Sequence, residues 1–186
     1  MEQTLRFILI GDTLTGKTTF FNKLINETNK KPDKTIGLDV MTYKDNEKKI
    51  IIWDTSGDEK YINIVKSYMR NNCGILLFVD LTRKETFDNL ESWISLIETE
   101  NYCNHKHPIF LIGINNDKEI AINHDKLGDF VVKYQLIYIS TRLECIDPKS
   151  IMNIIIGEID YRFKNINCLG IKNIEKIKTN RRLSLY

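Results

Sequence analysis

A chain of 186 residues, 42% apolar and 28% charged, has material for one globular domain, with a core large enough to need no disulfide or metal staple. Its 27 lysines and arginines against 25 aspartates and glutamates give a formal net charge of +2, which argues against a general nucleic-acid binder and confines basic character to local segments. The longest apolar runs, Ile75 to Val79 and Ile154 to Ile156, fall far short of the roughly 20 residues of a membrane-spanning helix, and the start Met1-Glu2-Gln3 lacks the basic region of a signal peptide.

Short apolar runs alternate with amphipathic segments along the chain, the pattern of an α/β domain. Leu5 to Ile10 predicts a buried strand and Thr18 to Asn26 a helix. Gly37 to Lys44 alternates apolar and polar residues and turns through Asp45-Asn46, which predicts an antiparallel edge strand paired with the next buried strand, Lys49 to Trp53. A helix over Tyr61 to Asn71 and a strand over Gly74 to Val79 follow. The helix predicted over Thr86 to Glu98 carries Phe87, Leu90, Trp93, Ile94 and Ile97 on one face, a stripe for packing against the sheet. Then come strands at Ile109 to Ile112 and Leu136 to Ile139 around a helix at Asp125 to Tyr134, and a last helix at Pro148 to Phe163. Nearly continuous apolar strands suit a parallel sheet with helices on both faces.

Residues 1–163 are thus expected to form the domain and Lys164 to Tyr186 a basic, partly disordered tail, with Lys172, Lys176, Lys178, Arg181 and Arg182 against Glu175. Ile171, Ile174 and Ile177 recur every three residues and leave a docked helix open there. Cys73, Cys103, Cys145 and Cys168 form no CxxC pair and are expected as reduced thiols. His105-Lys106-His107 has no third ligand nearby and reads as a polar loop.

The chemistry concentrates after the first strand, where Gly11-Asp12-Thr13-Leu14-Thr15-Gly16-Lys17-Thr18 fits G-x-x-x-x-G-K-[ST] between a strand and a helix. Glycines let backbone N–H groups close around phosphate oxygens, and the helix N-terminus adds partial positive charge. Lys17 is then placed for the β- and γ-phosphates and the Thr18 hydroxyl for Mg²⁺. A second buried strand delivers Asp54, suited to holding Mg²⁺, and Gly57 three residues on can bring its N–H to a γ-phosphate. Thr35, in a loop before the edge strand, can complete the metal shell when a γ-phosphate is present, and two loops sensing one phosphate make a switch.

In these residues the chain resembles a small GTPase of the Ras superfamily, and within it the Rab family. Gly11 to Thr18 resembles the Rab phosphate loop, Thr35-Ile36-Gly37-Leu38-Asp39 switch I, and Trp53-Asp54-Thr55-Ser56-Gly57-Asp58-Glu59-Lys60-Tyr61 switch II, with Tyr68 to Gly74 and Asp80-Leu81-Thr82 continuing in register. The likeness runs from about Thr4 to Phe163. It implies a P-loop small G domain: a six-stranded, mostly parallel sheet with one antiparallel edge strand and about five helices. It also implies nucleotide contacts from Asp12, Thr13, Leu14, Thr15, Gly16, Lys17, Thr18, Thr19, Thr35, Gly57, Asn115, Asp117, Thr141 and Arg142. Thr18, Thr35 and Asp54 would hold Mg²⁺, and Lys17, Thr35 and Asp58 would act in GTP hydrolysis.

Several positions depart from the family. Asp58 stands where a glutamine orients the attacking water, which predicts slow intrinsic hydrolysis. Of the guanine-reading Asn-Lys-x-Asp only Asp117 survives in Ile114-Asn115-Asn116-Asp117, so guanine preference is expected to be weakened. Thr141 and Arg142, in Ser140-Thr141-Arg142-Leu143, fall where the family faces the guanine carbonyl. Asn22 to Lys34 holds no aromatic residue to cover the base, which predicts faster nucleotide release. Val40 replaces a phenylalanine usual in the effector patch.

The partners implied are GTP or GDP, effector, exchange-factor and activating proteins at the switches, and no nucleic acid; a monomer is expected. The residues end in Arg181-Arg182-Leu183-Ser184-Leu185-Tyr186 without a prenylation motif, so either the chain is shortened or any contact with an anionic membrane is electrostatic. The expected location is the cytoplasm, with peripheral contact to intracellular membranes open. Three readings stand at this point: a Rab-like GTPase acting in membrane traffic, a non-catalytic pseudo-GTPase that sequesters partners, and a P-loop small-molecule kinase, which would need an arginine-bearing lid not evident here.

Overall fold

Alternate residues of the central strands belong to two different cores. Leu5, Phe7 and Leu9 pack with Phe20, Phe21, Ile151, Met152 and Ile155 on one side, and Ile8 and Ile10 pack with Val65, Met69, Trp93, Ile94 and Ile97 on the other. Burial on both faces leaves no polar positions, which is why these strands read as continuous apolar runs. The computed structural model describes residues 3–25, 35–70, 72–100, 108–142, 144 and 147–168, with side chains to 164 in the last range.

The strands are β1 (Gln3–Ile10), β2 (Leu38–Asp45), β3 (Lys48–Thr55), β4 (Gly74–Asp80), β5 (Ile109–Ile114) and β6 (Ile137–Thr141). They lie in the order β2-β3-β1-β4-β5-β6, with β2 antiparallel to β3 and every other pair parallel. The helices are α1 (Lys17–Leu24), α2 (Ile62–Met69), α3 (Lys84–Asp88), α4 (Leu90–Glu100), α5 (His124–Lys133) and α6 (Pro148–Cys168), with a 3₁₀ turn at Glu59–Tyr61 ahead of α2. The expected six-stranded sheet with one antiparallel edge strand is present, and among the described residues the helices number five when α3 and α4 are taken as one interrupted helix.

Most element ends fall within one or two residues of the expectation, and two helices differ more. The helix predicted over Thr86 to Glu98 starts at Lys84 and is interrupted at Asn89, whose carbonyl accepts from both Ser92 and Trp93 while its side chain is drawn toward Asp12. Helix α6 carries on past Phe163 to Cys168, its i to i−4 ladder needing no apolar stripe to continue. The rest of the expected tail, Cys103, Cys145, the histidine loop and residues 26–34 of the segment without an aromatic residue lie outside the described residues, and Cys73 is a half-buried free thiol. Among the described residues no helix is long and apolar enough to cross a membrane.

The topology places the chemistry. Chain direction puts Ile10, Thr55, Asp80, Ile114 and Thr141 along one edge of the sheet, and the paired positions Leu9 with Asp54, Asp80 with Ile114, and Ile114 with Thr141 set their loops side by side. Strand order turns outward in both directions from β1, so the crevice beyond its C-terminal end is the position where open α/β sheets bind ligands.

Candidate functional site

The loop after β1 turns on two glycines in left-handed backbone, Gly11 and Gly16. Gly11 has φ 132° and a Cβ there would sit 2.5 Å from the Phe78 carbonyl oxygen, while Gly16, at φ 82°, precedes α1 and provides no side-chain cap. The N–H groups of the first turn of α1 therefore face the crevice with no acidic residue in that turn, a geometry suited to an anion. Gly57 presses against this loop from β3: a Cβ there would collide with the backbone of Asp12 and Thr13.

Lys17 is folded into the loop, its Nζ donating to the carbonyl oxygens of Gly11 at 2.8 Å and Asp12 at 2.6 Å. Burial pulls its pKa down to about 8, against the attraction of Asp54 and Asp12. The Thr15 hydroxyl donates to Asp12 O at 2.8 Å and closes the loop from within.

Asp54 is fully buried at the end of β3, and its Oδ2 accepts from the Thr18 hydroxyl at 2.7 Å and the Thr35 hydroxyl at 3.3 Å, the two hydroxyl oxygens lying 2.8 Å apart. Oδ1 has no hydrogen-bond partner. Burial pushes the Asp54 carboxyl up to about 6, opposed by the Thr18 hydrogen bond and Lys17. A buried carboxylate oxygen left unpaired beside two hydroxyls is a hard, all-oxygen donor set, and it fits Mg²⁺. The chain on either side is tied by Ser56 N–H donating to Gly37 O at 3.0 Å, so the segments holding Thr35 and Gly57 meet through their backbones.

Lys17, Thr18, Thr35 and Gly57 line one cleft of about 270 Å³, bounded by residues 13–19, 35–36, 55–58 and 60–61, and Asp54 lies behind its wall, bonded to the Thr18 and Thr35 hydroxyls. Asp58 borders it, but its carboxylate accepts from Lys60 N–H at 3.1 Å and pairs with Lys60 Nζ at 3.2 Å, capping the 3₁₀ turn. That ion pair raises the Lys60 ammonium above its ordinary value.

The other expected residues gather on the neighbouring loops of the same edge rather than in the walls of that cleft. Asn115 has φ 61° and is buried, its Nδ2 donating to Asp80 Oδ1 at 2.9 Å while its own Oδ1 has no partner. It is turned into the protein. Asp117 and Arg142 are exposed and Thr141 half-buried, and Asn116 N–H meets Thr141 O at 3.4 Å. Sequence reasoning missed the groups that fasten the phosphate loop from outside. Asp12 turns its carboxylate away from the crevice to accept from Trp93 Nε1 and Asn89 Nδ2, both at 2.8 Å, and Arg83 donates to Thr13 O at 3.0 Å. Trp93 had only its place in an apolar stripe to mark it, and its indole N–H was the available signal.

A glycine-built anion loop between β1 and α1, with a buried aspartate and two threonines at the end of a six-stranded sheet of this order, defines a phosphate-loop nucleotide-binding domain. Residues 6–144 match the model of the Ras family, and the chain belongs to that family. It is 32% identical over 143 residues to the Ras-related protein RABA1c of Arabidopsis thaliana, a match covering 73% of this chain and 65% of that protein. It is 29% identical over 143 residues to the Ras-related protein Rab-18-B of Danio rerio, covering 73% of this chain and 69% of the relative. The chain thus matches a little under two thirds of the length of the Arabidopsis protein, and the Rab names of both relatives bear out its resemblance to a divergent Rab.

Two outcomes test this geometry. Leu14 has φ 62° and is 69% exposed, so it carries left-handed strain, about 1–2 kcal/mol for a leucine, with little burial to offset it. Leu14→Gly should raise stability in urea by up to about 1 kcal/mol after the greater freedom of unfolded glycine is counted, and a loss of that size would contradict the strain. At Asp80 burial alone would raise the carboxyl, yet hydrogen bonds from Asn115 and Thr82 hold it below its ordinary value. That stabilisation is present above the unfolded pKa near about 4 and is lost as pH falls through the lower folded value. Asp80→Asn should therefore flatten the acid limb of stability below about pH 5, and an unchanged slope would contradict the assignment.

Proposed function

We propose that the chain is a Rab-like guanine-nucleotide switch that binds GTP or GDP with Mg²⁺, hydrolyses GTP slowly, and presents its two switch segments to proteins of membrane traffic. The observation that carries this reading is the meeting of Thr18 and Thr35 on Asp54 beside an unpaired carboxylate oxygen, at the mouth of the phosphate loop. Thr18, Thr35 and Asp54 are the residues that would hold the ion, which when bound neutralises phosphate charge.

In this reading Asp12, Thr13, Leu14, Thr15, Gly16, Lys17, Thr18 and Thr19 surround the phosphates. Lys17 exchanges its two carbonyl partners for phosphate oxygens, its ammonium stabilising charge that builds on them during in-line attack by water. Thr35 orients that water, and Gly57 offers its N–H to the γ-phosphate. At the base, Asp117 accepts from the guanine N1 and N2 donors, which adenine lacks, and Thr141 and Arg142 face the guanine carbonyl. Exposed Ile36, Val40, Ile64 and Tyr68 supply an apolar surface for effectors, with Trp53 packed on Tyr68 at 4.7 Å between ring centres. The basic tail supplies electrostatic contact with an anionic membrane.

Asp58 brings a carboxylate where the reaction builds negative charge, and its pairing with Lys60 offsets part of that repulsion. Single-turnover hydrolysis of pre-loaded GTP should be slow in the parent and about five- to tenfold faster in Asp58→Gln. Equal rates would remove Asp58 as the cause. GTP intact in both proteins would favour the second reading, a non-catalytic module that sequesters partners, which Asn115 turned onto Asp80 and Ile114 in place of asparagine also support.

A further inference from the structure

The phosphate loop is held from outside by a chain of side chains that starts in the loop carrying Asp117. Asp80, 6% exposed at the end of β4, takes three hydrogen bonds on Oδ1: from Asn115 Nδ2 at 2.9 Å, Thr82 N–H at 3.0 Å and the Thr82 hydroxyl at 2.8 Å. Its Oδ2 faces Arg83 Nε at 3.3 Å, and the other arm of the same guanidinium donates to Thr13 O at 3.0 Å. Arg83 also lies 4.0 Å from Glu85. The bonds run without a gap from Asn115 through Asp80 and Arg83 to the peptide joining Thr13 to Leu14.

That peptide is where the tie has consequence. In a trans peptide the C=O and the following N–H point in opposite directions, so fixing the Thr13 carbonyl on Arg83 aims the Leu14 N–H to the other side. Thr13 and Leu14 border the cleft and Arg83 does not. Leu14, on the far side of that peptide, stands in left-handed backbone at φ 62°.

We propose that Arg83 is a positioning residue: held by Asp80 and Asn115, it orients the Thr13–Leu14 peptide toward the phosphates and so makes nucleotide release depend on the base-side loop. This rests on the reading of the cleft as a nucleotide site. In this chain Asn115, which stands where the family has a lysine, couples the two loops through Asp80 and Arg83 rather than through a stem of its own. The cation of Arg83 adds to the positive field around Lys17, whose ammonium it opposes.

The test is the release rate of a fluorescent GDP from the parent, Arg83→Ala, Arg83→Lys, Asn115→Ala and the double variant Arg83→Ala with Asn115→Ala, together with amide exchange of residues 11–16 in the nucleotide-free proteins. Loss of one charge-assisted hydrogen bond to the loop predicts release about tenfold faster in Arg83→Ala. Arg83→Lys should not rescue it, because one ammonium cannot span Asp80 and Thr13 as the two arms of a guanidinium do. The double variant should release no faster than Arg83→Ala alone, since both substitutions cut one chain. Full rescue by lysine would reduce Arg83 to a point charge, and multiplicative effects would break the chain at Asp80; either overturns the proposal. If the parent binds no GDP the nucleotide reading fails, and amide exchange still decides: faster exchange of residues 11–16 in Arg83→Ala and Arg83→Lys supports the tie, and unchanged exchange overturns it.

Discussion

Burying Asp54 at the end of β3 leaves one of its carboxylate oxygens without a partner, and a buried acceptor of that kind is costly until a cation or donor meets it. The rest of the site is arranged around that deficit. Parallel pairing of Leu9 with Asp54 fixes where the strand ends fall, so the loop leaving β1 and the carboxylate ending β3 emerge together. Because both faces of these strands are apolar core, polar groups can gather only beyond the strand ends, and Thr18 from α1 and Thr35 from the switch segment converge there on Oδ2. Two buried opposite charges, Asp54 pushed up to about 6 and Lys17 pulled down to about 8, mark a cavity that favours ligands carrying compensating charge.

The loop itself is an exercise in disposing of carbonyls. Those of Gly11 and Asp12 go to Lys17, that of Asp12 also to Thr15, and that of Thr13 to Arg83. The Thr13 oxygen is held from outside the cleft, and the peptide N–H that follows it points the other way, an arrangement that suits an anion. Glycine is needed at Gly11 and Gly57 because backbone passes too close for any side chain, whereas Leu14 occupies left-handed space at a cost in strain.

What the sequence disclosed was whatever rests on periodicity or on a spaced motif. All six strands lie where apolar patterning places them, as do the helices apart from the break at Asn89 and the longer α6, and Thr18, Thr35 and Asp54 meet beside the cleft that Lys17 and Gly57 line. Hidden were contacts between residues far apart in the chain whose types have ordinary alternatives. Trp93 satisfies an apolar stripe and an Asp12 carboxylate at once, and the stripe alone is visible in periodicity. The interruption at Asn89 has no breaker residue to announce it, and the side chain there bonds to Asp12 across the fold. Asn115 was legible as a departure from the guanine-reading motif, but not as an inward partner of Asp80. Asp58 could be recognised as a substitution, but not as the cap of its own turn and partner of Lys60.

The central claim is that this cleft holds the phosphates of a guanine nucleotide through the phosphate loop and the oxygens around Asp54. Calorimetric titration of nucleotide-stripped protein with GDP and with ADP, each with Mg²⁺ and again with the metal chelated, tests it most directly. The account expects GDP to bind more tightly than ADP and to weaken when the metal is removed. No binding of either nucleotide, or equal affinity for both regardless of metal, would contradict it.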